Sequence, residues 1–214
     1  MSRNLQDYRQ SYEKSELLES TISDNPFELF EQWFNETEAE GGSGEVNAMT
    51  MATIGLDGFP KSRVVLLKSY NADGFIFYTN FNSEKGKAID ANPLVCLSFF
   101  WPSTERQVII KGLVQKVDTK TATKYYHSRP RGSQLGAWAS PQSDEISSRE
   151  VLENNLAEVE QKYEGQEVPK PEHWGGYIVQ PVSMEFWQGR ENRLHDRIAY
   201  EKEDAKWTSK RLAP

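Results

Sequence analysis

Thirteen residues near the C-terminus, "EFWQGRENRLHDR" from Glu185 to Arg197, carry three arginines, one histidine and three carboxylates. If the run from Arg193 onward is an extended strand, alternate side chains share a face, so Arg193, His195 and Arg197 project together while Leu194, Asp196 and Ile198 oppose them. A helix would instead turn His195 away from both arginines. Three cationic or cationisable groups on one face repel one another unless water screens them or an anion lies between them. Taken by itself, the run leaves a solvated face and the rim of an anion site both open.

Two further segments bear on that choice. In "RVVLLK", Arg63 and Lys68 bracket an apolar run and fall on opposite faces of a strand, near its two ends. In "YYHSRPRGSQLGAW", Arg129, Arg131, Ser133 and Gln134 share a loop stiffened by Pro130 and opened by Gly132, just before a short helix. Arginine forks, hydroxyls and free backbone N–H groups suit a phosphate dianion, each charge-assisted bond contributing about 1.5 to 3 kcal/mol. The same loop alone is equally well read as solvated charge. Other chemistries fail on spacing. His127, His173 and His195 have no paired-ligand arrangement with cysteine or carboxylate, so no metal site is expected. Nucleophile elbow, Walker loop and dinucleotide fingerprint are all missing. Cys96, in "PLVCLSFFW", reads as a small core residue.

The formal net charge of −7 over 214 residues disfavours generic nucleic-acid binding, which needs a basic face, so an anionic ligand must be held by local cations. Neither a membrane-spanning run nor the apolar stretch of a secretory signal is seen, and a cytoplasmic protein is expected. These residues reach as far as an acidic β-rich domain suited to a small phosphorylated, aromatic ligand.

The elements that must position these residues begin with a polar, helical stretch to about Gly41. In "SDNPFELFEQWFNE", Asp24 is the expected cap, Pro26 sits in the first turn, and Phe27, Phe30, Trp33 and Phe34 form a stripe. "EGGSGE" reads as a linker. From Val46, short β-type runs alternate with turn signals: "VNAMTMATI", a turn at Asp57-Gly58, "KSRVVLLKSY", a turn at Ala72-Asp73-Gly74, then "FIFYTN". A short helix at about Glu84 to Asp90 precedes "PLVCLSFFW" and "RQVIIKGLVQKV". Several strands are apolar on both faces, which predicts a closed barrel or a sheet covered by helices or a partner subunit. "DTKTATKYYHS" predicts a helix, "RPRGSQLGAWASPQSDE" an irregular segment, and "SSREVLENNLAEVEQKYEG" a helix with Ser147 and Glu150 as capping box. "WGGYIVQPVSMEFWQ" and "RLHDRIAYE" read as strands joined at "GREN", making the opening stretch a hairpin.

"EFWQGRENRLHDR", "RVVLLK", "FYTN", "ERQV", "YYHSRPRGSQLGAW", "PQS", "WGGY" and the terminal "RLAP" together resemble, in order, the pyridoxine (pyridoxamine) 5′-phosphate oxidase family, from roughly Asn25 to Pro214. The resemblance implies a mainly β fold with flanking helices, an FMN-binding split β-barrel of Greek-key type over residues 25–214, working as a homodimer with FMN at the subunit interface. Carried over by position, it implies FMN contacts at Arg63, Val64, Val65, Leu66, Leu67, Lys68, Tyr78, Thr79, Lys85, Gln107, Gln142, Ser143, Trp187 and Arg197. It implies substrate contacts at Lys68, Tyr125, Arg129, Ser133, Arg193 and His195, with Arg9 and Tyr12 on an N-terminal segment, residues 1–24, that closes over the substrate. One departure is Glu84, where the family commonly has an arginine ahead of the lysine matching Lys85; a carboxylate there either points to solvent or is compensated by Lys85 and Lys87.

The implied reaction oxidises the 4′ carbon of pyridoxine 5′-phosphate or pyridoxamine 5′-phosphate to the aldehyde, with O2 as acceptor and hydrogen peroxide as product. Arg193 and His195 are then the expected catalytic residues. A split-barrel flavin reductase of another substrate and a non-catalytic carrier of pyridoxal 5′-phosphate or FMN are the alternatives, since fold does not fix reaction.

Overall fold

The computed structural model describes residues 3–8, 10–204 and 206–214. Among them are five α-helices and nine strands: α1 (Pro26–Glu40), β1 (Ala48–Ile54), β2 (Pro60–Leu66), β3 (Ser69–Asn71), β4 (Gly74–Asn80), α2 (Glu84–Ala91), β5 (Leu94–Trp101), β6 (Arg106–Lys116), α3 (Thr119–Ser128), α4 (Arg131–Ala139), α5 (Arg149–Lys162), β7 (Trp174–Gln188), β8 (Asp196–Glu203) and β9 (Lys206–Leu212). The strands pair in the order β2-β1-β5-β6-β7-β4-β3, with β8 on β7 and β9 on β8. The chain folds as two compact units. The first comprises residues up to 50, 97–111 and 181–214; the second comprises 51–96 and 112–180.

In the first unit, α1 lays Leu29, Phe30 and Trp33 into the core, each at most 3% exposed. Phe30 meets Phe99 edge-on at 5.2 Å and Trp33 meets Phe186 at 5.3 Å between ring centres. Burying each such ring contributes about 1.5 to 3 kcal/mol, which fixes the helix on the sheet without strong intrinsic propensity. The helix starts one residue later than expected. Asn25, not Asp24, is the cap, its side-chain oxygen accepting the Phe27 N–H at 3.1 Å, with Pro26 in the first turn. β7 and β8 form the expected antiparallel hairpin, in which Trp187 faces Arg197 and Gln188 faces Asp196.

In the second unit, β4 pairs with β7 so that Tyr78 lies opposite Gly176 and Thr79 opposite Gly175. A Cβ on Gly176 would fall 2.7 Å from the Tyr78 ring, so the glycine is what lets that ring lie across its neighbour strand. Tyr126, Leu135, Tyr163, Val168 and Trp174 form a second core that joins α3, α4 and α5, with Leu156 and Val159 packed against it.

Three local expectations are corrected. Residues 131–139 form a helix, not an irregular segment, because Leu135 and Ala139, one turn apart, are buried while Ser133 and Arg131 face outward. α5 is preceded by Ser148 rather than Ser147, and no side chain caps it. The run "RLHDR" is not one strand: Glu191–Arg193 is a single 3-10 turn with Asn192 and Arg193 in the left-handed region, at φ 54° and 61°, and β8 begins only at Asp196. The alternation argument for Arg193, His195 and Arg197 therefore fails on its premise. Polar residues at a hairpin end satisfy their backbone in a turn instead of extending the ladder.

Candidate functional site

In the second unit, β2, β4 and the segment from α3 to α4 surround a cleft of about 770 Å³. One wall is aromatic. Tyr78 and Tyr125 stack with centres 3.9 Å apart, and Trp174 lies nearly parallel to Tyr78, at 11° and 5.5 Å. Burial pushes both tyrosine hydroxyls above their usual range, so they are neutral donors at physiological pH. The Arg129 guanidinium sits 4.6 Å over the Trp174 ring. Its Nη1 is buried and has no hydrogen-bond partner, and burial lowers its pKa. A guanidinium nitrogen deprived of both water and an acceptor is unfavourable by itself; its energetic complement is an anion in the cleft.

The other cations of the cleft are arranged alike. Arg63, on β2, donates one nitrogen, Nη1, to Thr53 Oγ1 at 2.8 Å and to the Lys61 and Met51 carbonyls. Lys85, near the start of α2, has its pKa lowered by burial and then by Arg63, and its Nζ lies 3.5 Å from Gln142 Oε1. Thr79 Oγ1 reaches the same Gln142 oxygen at 3.3 Å. Lys68 is exposed in the link between β2 and β3, and its N–H donates to the Ile76 carbonyl at 2.8 Å. Among the described residues, no carboxylate pairs with Arg63, Lys68, Lys85 or Arg129. Ser133 lies in the first turn of α4, a helix that no side chain caps, so the positive end of its dipole adds to the field there. This donor set suits phosphate, and the aromatic wall beside it suits a flat ring. It therefore fits both an FMN phosphate and a phosphorylated pyridine.

Glu84 forms no ion pair with these cations. It forms an ion pair with Lys61, which also contacts Asp57 at 3.1 Å, and that ammonium holds the Glu84 carboxyl below the usual carboxylate range. Glu84 is exposed to solvent, and its ion-pair partner is Lys61, not Lys85 or Lys87; Lys87 lies 4.0 Å from Asp144.

Of the residues singled out from the sequence, the cleft brings together Arg63, Val64, Val65, Leu66, Lys68, Tyr78, Thr79, Lys85, Tyr125, Arg129, Ser133 and Gln142. Leu67 is buried, at 4% exposure, and does not line it. Ser143, at φ 77°, lines a separate depression with Asp57, Lys61 and Glu84. Sequence reasoning missed Trp174 as a lining residue; its place next to the glycines that receive Tyr78 was the available signal.

The remaining residues belong to the first unit. Tyr12 packs edge-on against Trp187 at 5.7 Å, and His195 lies 4.6 Å from the Trp187 ring and 5.9 Å from the Tyr12 ring. The Arg190 N–H donates to His195 Nδ1 at 3.0 Å, which leaves Nε2 as the protonated nitrogen of the neutral ring. Burial, then the Arg193 charge, holds the imidazole below its usual pKa. Arg193 is exposed on its left-handed turn. Arg197 is engaged by Glu185 at 2.8 Å and by the Ala213 carbonyl at 2.7 Å. Gln107 is half-buried on β6. Arg9 lies outside the described residues. Among the described residues, no group of three histidine, cysteine or carboxylate side chains could hold a metal ion, and no helix is long and apolar enough to cross a membrane.

Comparison with known proteins agrees with this chemistry. Residues 37–163 match the family described as pyridoxamine 5′-phosphate oxidase, and residues 174–214 match the pyridoxine 5′-phosphate oxidase C-terminal dimerisation region. Pyridoxine/pyridoxamine 5′-phosphate oxidase of Flavobacterium johnsoniae is 62% identical over 98% of this chain and 99% of its own. The protein of the same name from Christiangramia forsetii is 56% identical over the whole of both chains. Among solved structures, PhzG from Burkholderia lata in complex with tetrahydrophenazine-1-carboxylic acid superposes with a TM-score of 0.85 at 29% identity, over 91% of this chain and 95% of that one. A pyridoxamine 5′-phosphate oxidase-related, FMN-binding protein of Nostoc punctiforme shares the fold at a TM-score of 0.70 and 16% identity, over 90% of this chain and all of that one. The split-barrel architecture expected from the sequence is therefore correct, and the chain belongs to the pyridoxamine 5′-phosphate oxidase family.

Proposed function

We propose that the protein is an FMN-dependent oxidase that converts pyridoxine 5′-phosphate and pyridoxamine 5′-phosphate to pyridoxal 5′-phosphate in the cytoplasm, reducing O2 to hydrogen peroxide and working as a homodimer with FMN at the subunit interface. The observation that carries this reading is the set of cations without carboxylate partners, led by the unpartnered Arg129 Nη1, beside a stacked aromatic wall. The names of full-length relatives at up to 62% identity, and the match of 174–214 to a dimerisation region, support the substrate and the dimer.

In this reading Arg63, Lys85, Thr79 and Gln142 hold the FMN phosphate, and Val64, Val65, Leu66, Lys68 and Tyr78 line the flavin site; Leu67, Gln107, Ser143, Trp187 and Arg197 do not line this cleft. Lys68, Tyr125, Arg129 and Ser133 clamp the substrate phosphate, which orients the pyridine ring and lowers the entropic cost of reaction. When bound, FMN supplies the hydride acceptor and the route of electrons to O2. Arg193 offers only N–H donors and no acceptor, so in place of a base it positions the 4′ substituent and favours its deprotonated form. His195, neutral and with Nδ1 occupied by the Arg190 N–H, presents Nε2–H as a donor to a ring substituent. Tyr12 closes over the substrate.

The test is to purify the yellow holoprotein, add pyridoxine 5′-phosphate or pyridoxamine 5′-phosphate, and record O2 uptake beside aldehyde formation. Matched uptake and aldehyde are expected. Ligand binding without O2 uptake would make the protein a carrier, and flavin reduction by a nicotinamide donor without aldehyde would make it a reductase.

A further inference from the structure

Residues 10–19 form neither helix nor strand, so their path must be held by side chains of other elements. Two groups of anchors hold it within the first unit. At the C-terminal end, Asp196 Oδ2 accepts the Leu17 N–H at 3.1 Å, while Arg211 donates to the Leu17 carbonyl at 2.8 Å and to Glu19 at 2.6 Å. At the other end Lys14 Nζ pairs with Glu40 at 2.7 Å, and one residue holds the backbone. Glu105 Oε2 accepts the N–H groups of both Glu13 and Lys14, at 2.9 and 3.0 Å. Glu105 is only 9% exposed and stands at φ 57°, in the turn before β6. Its backbone carbonyl accepts the Gly189 N–H at 2.8 Å.

Gly189 is the floor beneath Tyr12: a Cβ there would fall 2.7 Å from Tyr12 Cγ, so only glycine lets the ring sit where it does. One residue therefore joins this strap, residues 10–19, to the end of β7, and the Tyr12 ring between them rests on Trp187 and His195. A buried carboxylate in a left-handed turn is costly unless its charge is used. Here it is used on two consecutive backbone donors, immediately after Tyr12.

We infer that Glu105 is a positioning residue that, with Gly189 as seat, sets Tyr12 against Trp187 and His195 and so determines substrate affinity. The affinity part rests on the proposed function; the anchoring part does not. Two measurements on the FMN-loaded protein test them separately. The first is the rate of tryptic cleavage after Lys14, expected to rise about tenfold in Glu105→Ala, because two charge-assisted bonds are lost, and less in Glu105→Gln. An unchanged rate in Glu105→Ala overturns the anchoring whatever the substrate.

The second is steady-state oxidation of pyridoxine 5′-phosphate. Glu105→Ala and Gly189→Ala should each raise KM about tenfold with bound flavin little changed, and Tyr12→Ala should raise KM at least as much. In a Tyr12→Ala background neither should raise KM further, since the group they position is gone. Additive effects, or equal loss of kcat and flavin, would show that Glu105 and Gly189 serve general folding and would overturn the inference. Failure of the wild-type protein to oxidise the substrate would instead refute the proposed function and, with it, the affinity part, while the cleavage rates decide the anchoring.

Discussion

Replacing Arg129 by methionine separates ligand binding from folding. The guanidinium lies 4.6 Å over the Trp174 ring, and its Nη1 is buried without a partner. Removing it relieves an unsatisfied donor worth about 1 to 3 kcal/mol and forfeits a cation–π contact worth about 0.5 to 2 kcal/mol. The methionine keeps most of the apolar stem against the ring. The two changes nearly cancel, so stability measured by urea unfolding of the FMN-free protein should move by less than about 2 kcal/mol. Binding of the phosphorylated substrate loses at least one charge-assisted bond of about 1.5 to 3 kcal/mol, so its KM should rise roughly tenfold to a hundredfold. Arg129→Lys should recover only part, because an ammonium keeps the charge but not the fork. Destabilisation by more than about 3 kcal/mol with KM unchanged would refute the reasoning and make Arg129 a packing residue.

Lys61→Ala frees Glu84 beside Arg63 and Lys85, so FMN affinity by flavin fluorescence titration should fall about three- to tenfold and return in Lys61→Ala/Glu84→Gln. His195 has a folded pKa below the ordinary imidazole value near 6.5, so the unfolded chain binds more protons in that window and stability falls as pH drops below about 6.5. His195→Asn should lack that component in urea melts taken across pH, and an identical pH slope in the two proteins would contradict the burial of the ring. Arg106, 7% exposed, joins Glu36 at 2.6 Å and Gln188 at 2.9 Å. Arg106→Met leaves the buried Gln188 oxygen unpaired and should cost about 1 to 3 kcal/mol in thermal unfolding, without a change in KM.

The strands and most helices were legible because their signals are local: Asp57-Gly58 and Asp73-Gly74 mark turns, and Leu29, Phe30 and Trp33 recur at helical spacing. The hairpin end was misread because Asn192 and Arg193 take left-handed geometry, which a polar run does not announce and which only the register of β7 with β8 requires. α4 begins at Arg131, earlier than the short helix expected after Gln134; its buried face is just Leu135 and Ala139, too narrow for periodicity to place its start behind Pro130 and Gly132. Residue by residue, spacing offered only scattered cations; the resemblance named the cleft residues. The Trp174 platform under Arg129 and the Lys61 clamp on Glu84 join positions 45 and 23 residues apart, and no local pattern encodes them.

An acidic chain that binds anions must sort its charges locally, and the pairing of each cation shows how. Arg106, Arg190, Arg197 and Arg211 each contact a carboxylate, and those contacts hold elements in place: α1 on β6, the strap on the hairpin, β8 on β7. Arg63, Lys85 and Arg129 are instead held by neutral groups, namely carbonyls, hydroxyls, an amide and aromatic faces. Neutral acceptors fix a cation's position without cancelling its charge, and partial burial protects that charge from salt. The carboxylate next in sequence to Lys85 pairs with Lys61, so only its longer-range field reaches Arg63 and Lys85. The net charge of −7 therefore describes the surface seen from beyond a Debye length, roughly 8 Å in physiological salt, whereas a phosphate inside the cleft meets only the cations that no carboxylate has claimed.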